Sequence, residues 1–159
     1  MDLVEVSQRI EIIDFYSAYA AALDDGDLES WPGFFTEDCL YQVIPRDNHD
    51  KGLPLAVIRC ESRGMLQDRV TAVRETTMFA PRYLRHLISN IRIVGQSEDA
   101  YETRANYAVF ETLSDEHTRV FNVGRYLDRL VREDGELRFA EKICVYDSIL
   151  VPNSIVYPI

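Results

Sequence analysis

The stretch from Val120 to Val145, VFNVGRYLDRLVREDGELRFAEKICV, reads as two long strands, Val120–Val131 and Leu137–Val145, joined through Glu133-Asp134-Gly135-Glu136. Asp-Gly between two such runs is a strong hairpin signal, because the central residues of the tight turn need positive φ, which Gly adopts at no steric cost. The same period of two runs upstream. Leu87, Ile91 and Ile93 are expected on one face of one strand, and Tyr101, Thr103, Ala105, Tyr107 and Val109 on one face of the next. Strand side chains alternate between faces, so the half of the chain after Pro81 is expected to be a meander of long antiparallel strands.

Before this region the period is helical. Leu3, Val6, Ile10, Ile13, Tyr16, Ala20 and Leu23 recur at the spacing of one helix face, widened by Ile12, Phe15 and Tyr19. Asp24-Asp25-Gly26-Asp27 ends that helix and offers caps for a second over Leu28–Phe35, with Pro32 early, where a missing N–H costs little. Cys39–Ile44 reads as a strand and the polar run from Pro45 to Gly52 as an exposed loop, the most flexible part of the chain. A short edge strand is expected at Leu55–Ile58, and a third helix near Ser62 carrying Met65, Leu66, Arg69, Val70 and Val73. Helices first and strands afterwards make an α+β fold, with helices on one face of a curved antiparallel sheet.

The 159 residues fit one domain, 1–159, and 47% hydrophobic content with nine Tyr, seven Phe and one Trp is ample for a core. A formal charge of −10 excludes the basic face that nucleic acid or an anionic membrane would need. Acids near the N-terminus and the lack of a long apolar run argue against a secretory signal or a membrane span, so a cytoplasmic location is expected. Cys39, Cys60 and Cys144, widely spaced in apolar surroundings, are expected as buried reduced thiols.

No motif for chemistry is complete. His49, His86 and His117 are isolated, with no HxxxH, CxH or CxxC spacing for a metal or iron–sulfur centre, and no glycine pattern cradles a phosphate or forms a nucleophile elbow. Neither a cofactor nor a catalytic group is assigned to this chain. One alternative stays open: the sheet can enclose a pocket into which Asp14, Tyr16, Tyr41 and His86 project. His86 is then either a general base or a hydrogen-bonded structural residue. Trp31, Phe34 and Phe35 read as core. The apolar tail from Ile149 to Ile159, interrupted by Pro152 and Pro158, reads as an extended strap that docks either on its own sheet or across a subunit boundary.

Several segments together carry a family resemblance: Trp31-Pro-Gly-Phe-Phe-Thr-Glu-Asp-Cys-Leu-Tyr41, Met65-Leu-Gln-Asp-Arg-Val70, Arg82-Tyr-Leu-Arg-His86 with Ser89-Asn90, Ala105-Asn-Tyr-Ala-Val109, Gly124-Arg-Tyr-Leu-Asp128 and Cys144-Val-Tyr-Asp-Ser148. In this order they resemble the small (β) subunits of Rieske non-haem iron aromatic-ring-hydroxylating dioxygenases. The Pro45-Arg46-Asp47-Asn48 stretch and the ending Pro152–Ile159 are most similar to the salicylate 5-hydroxylase and terephthalate dioxygenase branch.

The resemblance implies a nuclear-transport-factor-like (cystatin-like) cone and a non-catalytic subunit in aromatic compound catabolism. It implies a large α subunit holding the Rieske [2Fe-2S] cluster and a mononuclear Fe(II), small subunits trimeric among themselves in an α3β3 hexamer, and a ferredoxin or reductase supplying electrons. Trp31, Arg69, Arg85, His86 and Tyr157 are the expected contact residues. The cone also hosts lyases and isomerases, so a stand-alone enzyme or a small-molecule binder using Tyr16 and His86 remains as an alternative. Against it, the first strand lacks the acidic base such isomerases place there: Leu40-Tyr41-Gln42-Val43-Ile44 contains no carboxylate.

Overall fold

The computed structural model describes residues 2–152 and 154–159; Met1 and Asn153, the latter within the expected strap, lie outside the described residues. The first helix, α1 (Leu3–Asp24), opens with a capping box: the Asp2 carboxylate accepts from the Glu5 N–H at 2.8 Å, and the Glu5 carboxylate accepts from the Asp2 N–H at 3.0 Å. Its buried stripe is Ile12, Tyr16, Tyr19 and Leu23. Leu3, Ile10 and Ile13, expected in that stripe, are exposed, because the sheet covers only one side of the helix and leaves the rest of its apolar sector open.

The expected second helix is shorter than 28–35. Only Trp31–Phe34 is helical, as one 3-10 turn, because β1 (Phe35–Pro45) begins at once and Pro32 supplies no N–H. The expected loop after Pro45 is a short helix, α2 (Arg46–Asp50), supported by the pairs Arg46–Asp50 at 3.4 Å and Lys51–Asp47 at 2.9 Å, each one turn apart. The edge strand falls at β2 (Ile58–Cys60), after an exposed Leu55. The third helix, α3 (Arg63–Glu75), starts where expected, with Ser62 Oγ accepting from the Met65 N–H at 3.2 Å.

Four long strands follow: β3 (Arg82–Gln96), β4 (Ala100–Leu113), β5 (Arg119–Glu133) and β6 (Glu136–Tyr146). The β5–β6 hairpin turns at Asp134 and Gly135, both at positive φ (54° and 83°). The sheet order is β2-β1-β6-β5-β4-β3, and the meander is antiparallel throughout. The sheet is nevertheless mixed. After α3 the chain crosses to the far edge, so β6 comes back beside β1 running in the same direction, and Gln42 to Pro45 pair in parallel with Ile143 to Tyr146.

On β4 the expected inward row is correct: Tyr101, Thr103, Ala105, Tyr107 and Val109 are all buried. On β3 it is not. Asn90 adopts φ 53° at a bulge between Ser89 and Arg92, so Leu84 and His86 point inward before it and Ile91 and Ile93 after it, while Leu87 faces out. The curved sheet wraps α1, and the core lies between them, with Trp31, Phe35, Tyr41 and Phe139 at its aromatic centre. The Trp31–Phe35 knot is core as expected, with Phe34 half-buried at its rim. All three cysteines are free and buried.

Candidate functional site

The interior of the cone carries a polar cluster that the alternation of the strands puts there. Asp128 on β5 sits on the inward row with Tyr126 and Leu130, and Lys142 on β6 shares the inward side with Cys144; the two residues are directly paired across the ladder. The Lys142 ammonium donates to Asp128 Oδ2 at 3.1 Å, and the Tyr16 hydroxyl donates to the same oxygen at 2.6 Å and lies 2.9 Å from Thr103 Oγ1. Both charged side chains have no exposed surface. Lys142 Nζ also lies 3.2 Å from the Tyr126 ring centre and 4.7 Å from that of Tyr19, so aromatic faces replace part of the ammonium's lost hydration. Burial raises the Asp128 carboxyl above its ordinary range, against the pull of Lys142. Burial, then the Asp128 charge, pushes the Tyr16 phenol well up. A phenol so shifted stays protonated near neutrality and acts as a donor, not as a base.

The end of the strap packs into the interior beside Tyr19, Tyr41 and Cys144. Ile155 and Ile159 are buried in the chain's own core. The Ile159 N–H donates to Tyr41 Oη at 2.9 Å, while the Tyr41 and Tyr19 hydroxyls donate to the Ile159 oxygen at 3.3 and 2.9 Å. Cys144 Sγ adds a contact at 3.4 Å, its thiol pushed up to about 12 by burial. Outside, Arg69 donates to the carbonyls of Ile155 and Val156, at 3.3 and 2.8 Å, and Tyr157 packs on Phe79. The strap therefore docks on its own chain at its far end, whereas Ile149 and Leu150 stay open to solvent.

His86 lies where α1 meets the free edge of β3. The Asp24 carboxylate accepts from the His86 backbone N–H at 2.9 Å and from Nδ1 at 2.7 Å, so one acid bonds two edge groups and ties the end of the helix to the sheet. Nε2 is buried and has no hydrogen-bond partner among the described residues. A second anchor lies at the same end of the strands, two pairs along the ladder from His86: Glu111, fully buried, holds Arg82 at 2.8 Å and Arg119 at 2.6 Å, joining β3, β4 and β5.

Of the four expected pocket residues, Tyr16 and His86 line one cavity of about 630 Å³ between α1 and β3, together with Asp24, Ile88 and Ile91, whereas Tyr41 and Asp14 lie elsewhere. The Tyr16 and Tyr41 hydroxyls are bonded to different partners, and His86 is at the helix–strand seam. Asp14 is on the outer surface of α1, beside a groove of about 530 Å³ lined by Phe15, Phe34 and Leu137. Of the five expected contact residues, Trp31 and His86 are buried within the chain and Arg69 is engaged by the strap; only Arg85 is exposed, and Tyr157 is half-buried. Trp31 packs inward because its indole donates to Tyr19 at 3.3 Å and meets the Tyr41 ring edge-on. Sequence alone assigns Lys142 and Glu111 no role, Asp24 only the end of the first helix and Asp128 only a place in a family segment, although inward parity on β5 and β6 is a signal that marks Asp128 and Lys142.

Residues 18–153 match the model of the ring hydroxylating beta subunit family. The chain is 36% identical to the anthranilate 1,2-dioxygenase small subunit of Burkholderia cepacia, over 94% of this chain and 92% of that one. It is 38% identical to the terephthalate 1,2-dioxygenase terminal oxygenase component subunit beta 2 of a Comamonas species, over 95% and 98%. The solved beta subunit of a putative aromatic-ring-hydroxylating dioxygenase from Novosphingobium aromaticivorans superposes with a TM-score of 0.87 at 42% identity, covering 98% of each chain. The expected cone is thus the observed fold, its helix and curved six-stranded sheet shared with such subunits, and this chain belongs to the family of ring-hydroxylating beta subunits.

Proposed function

We propose that the chain is the non-catalytic, structural small subunit of the oxygenase component of a multicomponent aromatic-ring-hydroxylating system. The observation that carries this is the bonding of the cone's central polar groups to one another, Tyr16–Asp128–Lys142, with Tyr19 and Tyr41 held by the strap. A cone built for turnover keeps a cavity in which a base faces a substrate. In the cavity of about 630 Å³ between α1 and β3 the Tyr16 hydroxyl is bonded to Asp128 and Thr103, and His86 Nδ1 to Asp24, which suits a scaffold.

The Rieske [2Fe-2S] cluster and mononuclear iron then belong to a large partner subunit. Among the described residues no three His, Cys, Asp or Glu side chains converge in this chain as such a donor set. The reading places three copies with three large subunits in an α3β3 complex, fed by a ferredoxin or reductase, in the cytoplasm. Arg85 and Tyr157 are its exposed and half-exposed contact candidates.

Co-expression with a candidate large oxygenase subunit tests the proposal. The expected result is a mixed complex by size exclusion, with iron and ring hydroxylation present only when the large subunit is. An isolated chain that ignores this partner and converts or binds small aromatics would replace the proposal with the lyase, isomerase or binder alternative.

A further inference from the structure

One buried polar atom at the seam of α1 and β3 has no role within the chain. His86 Nδ1 bonds the Asp24 carboxylate at 2.7 Å, yet Nε2 is buried with no hydrogen-bond partner among the described residues. Buried polar atoms in folded chains are nearly always paired, so one that is not calls for a partner from outside. The Asp24 carboxylate only accepts, which places a proton on Nδ1. In the neutral ring Nε2 is then an acceptor that lacks a donor.

His86 lines the cavity of about 630 Å³ between α1 and β3, a size in the range of small-molecule sites. The cavity is there because of which residues α1 turns toward β3. The stripe that starts at Ile13 continues, three and four residues apart, through Ser17, Ala20 and Ala21 to Asp24, and its short side chains leave the gap unfilled. From β3 come Ile88 before the bulge at Asn90 and Ile91 after it, both turned to this side by the extra residue. The walls are therefore aliphatic. Asp24 is already bonded to His86, and the exposed Asp25 and Arg85 put one charge of each sign at the rim, so the cavity favours neither an anion nor a cation.

We propose that this cavity binds a small uncharged molecule with an apolar body and one hydroxyl, the body against Ala20, Ile88 and Ile91 and the hydroxyl donating to His86 Nε2. The nitrogen is covered in the empty cavity, so the bond forms as a side chain of the wall turns aside. A hydroxyl satisfies the acceptor, whereas a plain hydrocarbon leaves it unpaired. Such a site adds ligand binding to the structural role and asks no reaction of the chain.

Calorimetric titration of the full chain with phenol, at about pH 8 so that imidazole is neutral in its ordinary range, tests it. Benzene and benzoate are the comparators. Phenol should bind about tenfold more tightly than benzene, and benzoate should not bind. The chain has three histidines, so the ring nitrogens of His86 are assigned in long-range nitrogen–proton spectra with His49→Gln and His117→Gln. The His86 Nε2 signal should move with phenol and stay with benzene. Ala20→Leu fills the cavity with a good helix former, so it should weaken phenol by about tenfold or more while the thermal midpoint is kept. His86→Phe should bind phenol and benzene alike; because it also loses the Asp24 bond, its fold is checked by circular dichroism, and the Ala20 variant and the ring spectrum stand without it. Phenol that binds no tighter than benzene, an Nε2 signal that does not respond, or an Ala20→Leu chain of unchanged affinity would overturn the site. Capture of the large subunit is scored separately, so the site and the structural role stand or fall independently.

Discussion

At Gly124 the β5 backbone passes so close to β6 that an added methyl would overlap the Val145 carbonyl oxygen and lie 2.8 Å from Tyr146 Cα. Backbone on both sides leaves nothing to give way. Gly124→Ala should therefore destabilise by about 1–3 kcal/mol or more, read from denaturant midpoints. The buried pair poses a different problem. Lys142→Met leaves Asp128 without its counter-charge in a dry interior, with an expected cost of about 3–5 kcal/mol. The double variant Asp128→Asn, Lys142→Met should recover most of that loss, because neither charge is then buried. If the single Lys142 variant is as stable as the wild type, the pair contributes nothing and the assignment of Lys142 as counter-ion fails.

The strap is the element whose removal from the core is easiest to read. Its buried end hangs on Tyr41, whose hydroxyl both accepts from the Ile159 N–H and donates to the Ile159 oxygen. Tyr41→Phe keeps the ring against Trp31 and deletes only the hydroxyl, leaving a buried N–H unsatisfied at a cost of about 1–3 kcal/mol. The expected sign is selective proteolysis between Ile149 and Ile159 while α1 and the meander stay protected. Uniform loss of protection across the chain would instead mean that Tyr41 supports the whole core and not the strap.

For the molecule as a whole, two pH limbs follow from groups of opposite sign. Glu29 is lowered to about 2, first by its bond to Arg74, and Glu11 is lowered, first by Arg132. A carboxyl with a depressed folded pKa binds fewer protons in the folded state, so its stabilisation is present above the ordinary carboxyl range and is lost as pH falls from there toward about 2. Arg74→Gln should flatten that acid limb in the thermal midpoint. Tyr16, Tyr19, Tyr41, Tyr107 and Tyr126 are all raised well above the ordinary phenol value, mainly by burial. The folded chain then holds protons that the unfolded chain releases, so stability should fall as pH rises past about 10. Phenolate absorbance should show these five lagging until the fold opens; five that titrate freely in the folded protein would contradict their burial in the core.

The sequence by itself determined what one element or one turn can encode. Period two named the inward row of β4, Asp134-Gly135 set the last hairpin, Asp24 to Asp27 ended α1 and Ser62 capped α3, because each depends on neighbours a few residues away. The family too was readable, from short segments in fixed order. The tertiary structure decided what depends on distant partners. Parallel pairing of β6 with β1 follows from where the chain re-enters the sheet, and the inward turn of Ile91 and Ile93 from one bulged residue at Asn90. The separation of Asp14 from Tyr16, Tyr41 and His86 follows from the helix face each residue occupies and from how far the sheet wraps it. Likewise Lys142 meets Asp128, and Arg92 faces Arg104, only through the register of two long ladders. Local sequence sets which side of a strand is apolar, but the pairing of distant strands is chosen by the packing of the entire core, and the site and the surface are read from that pairing.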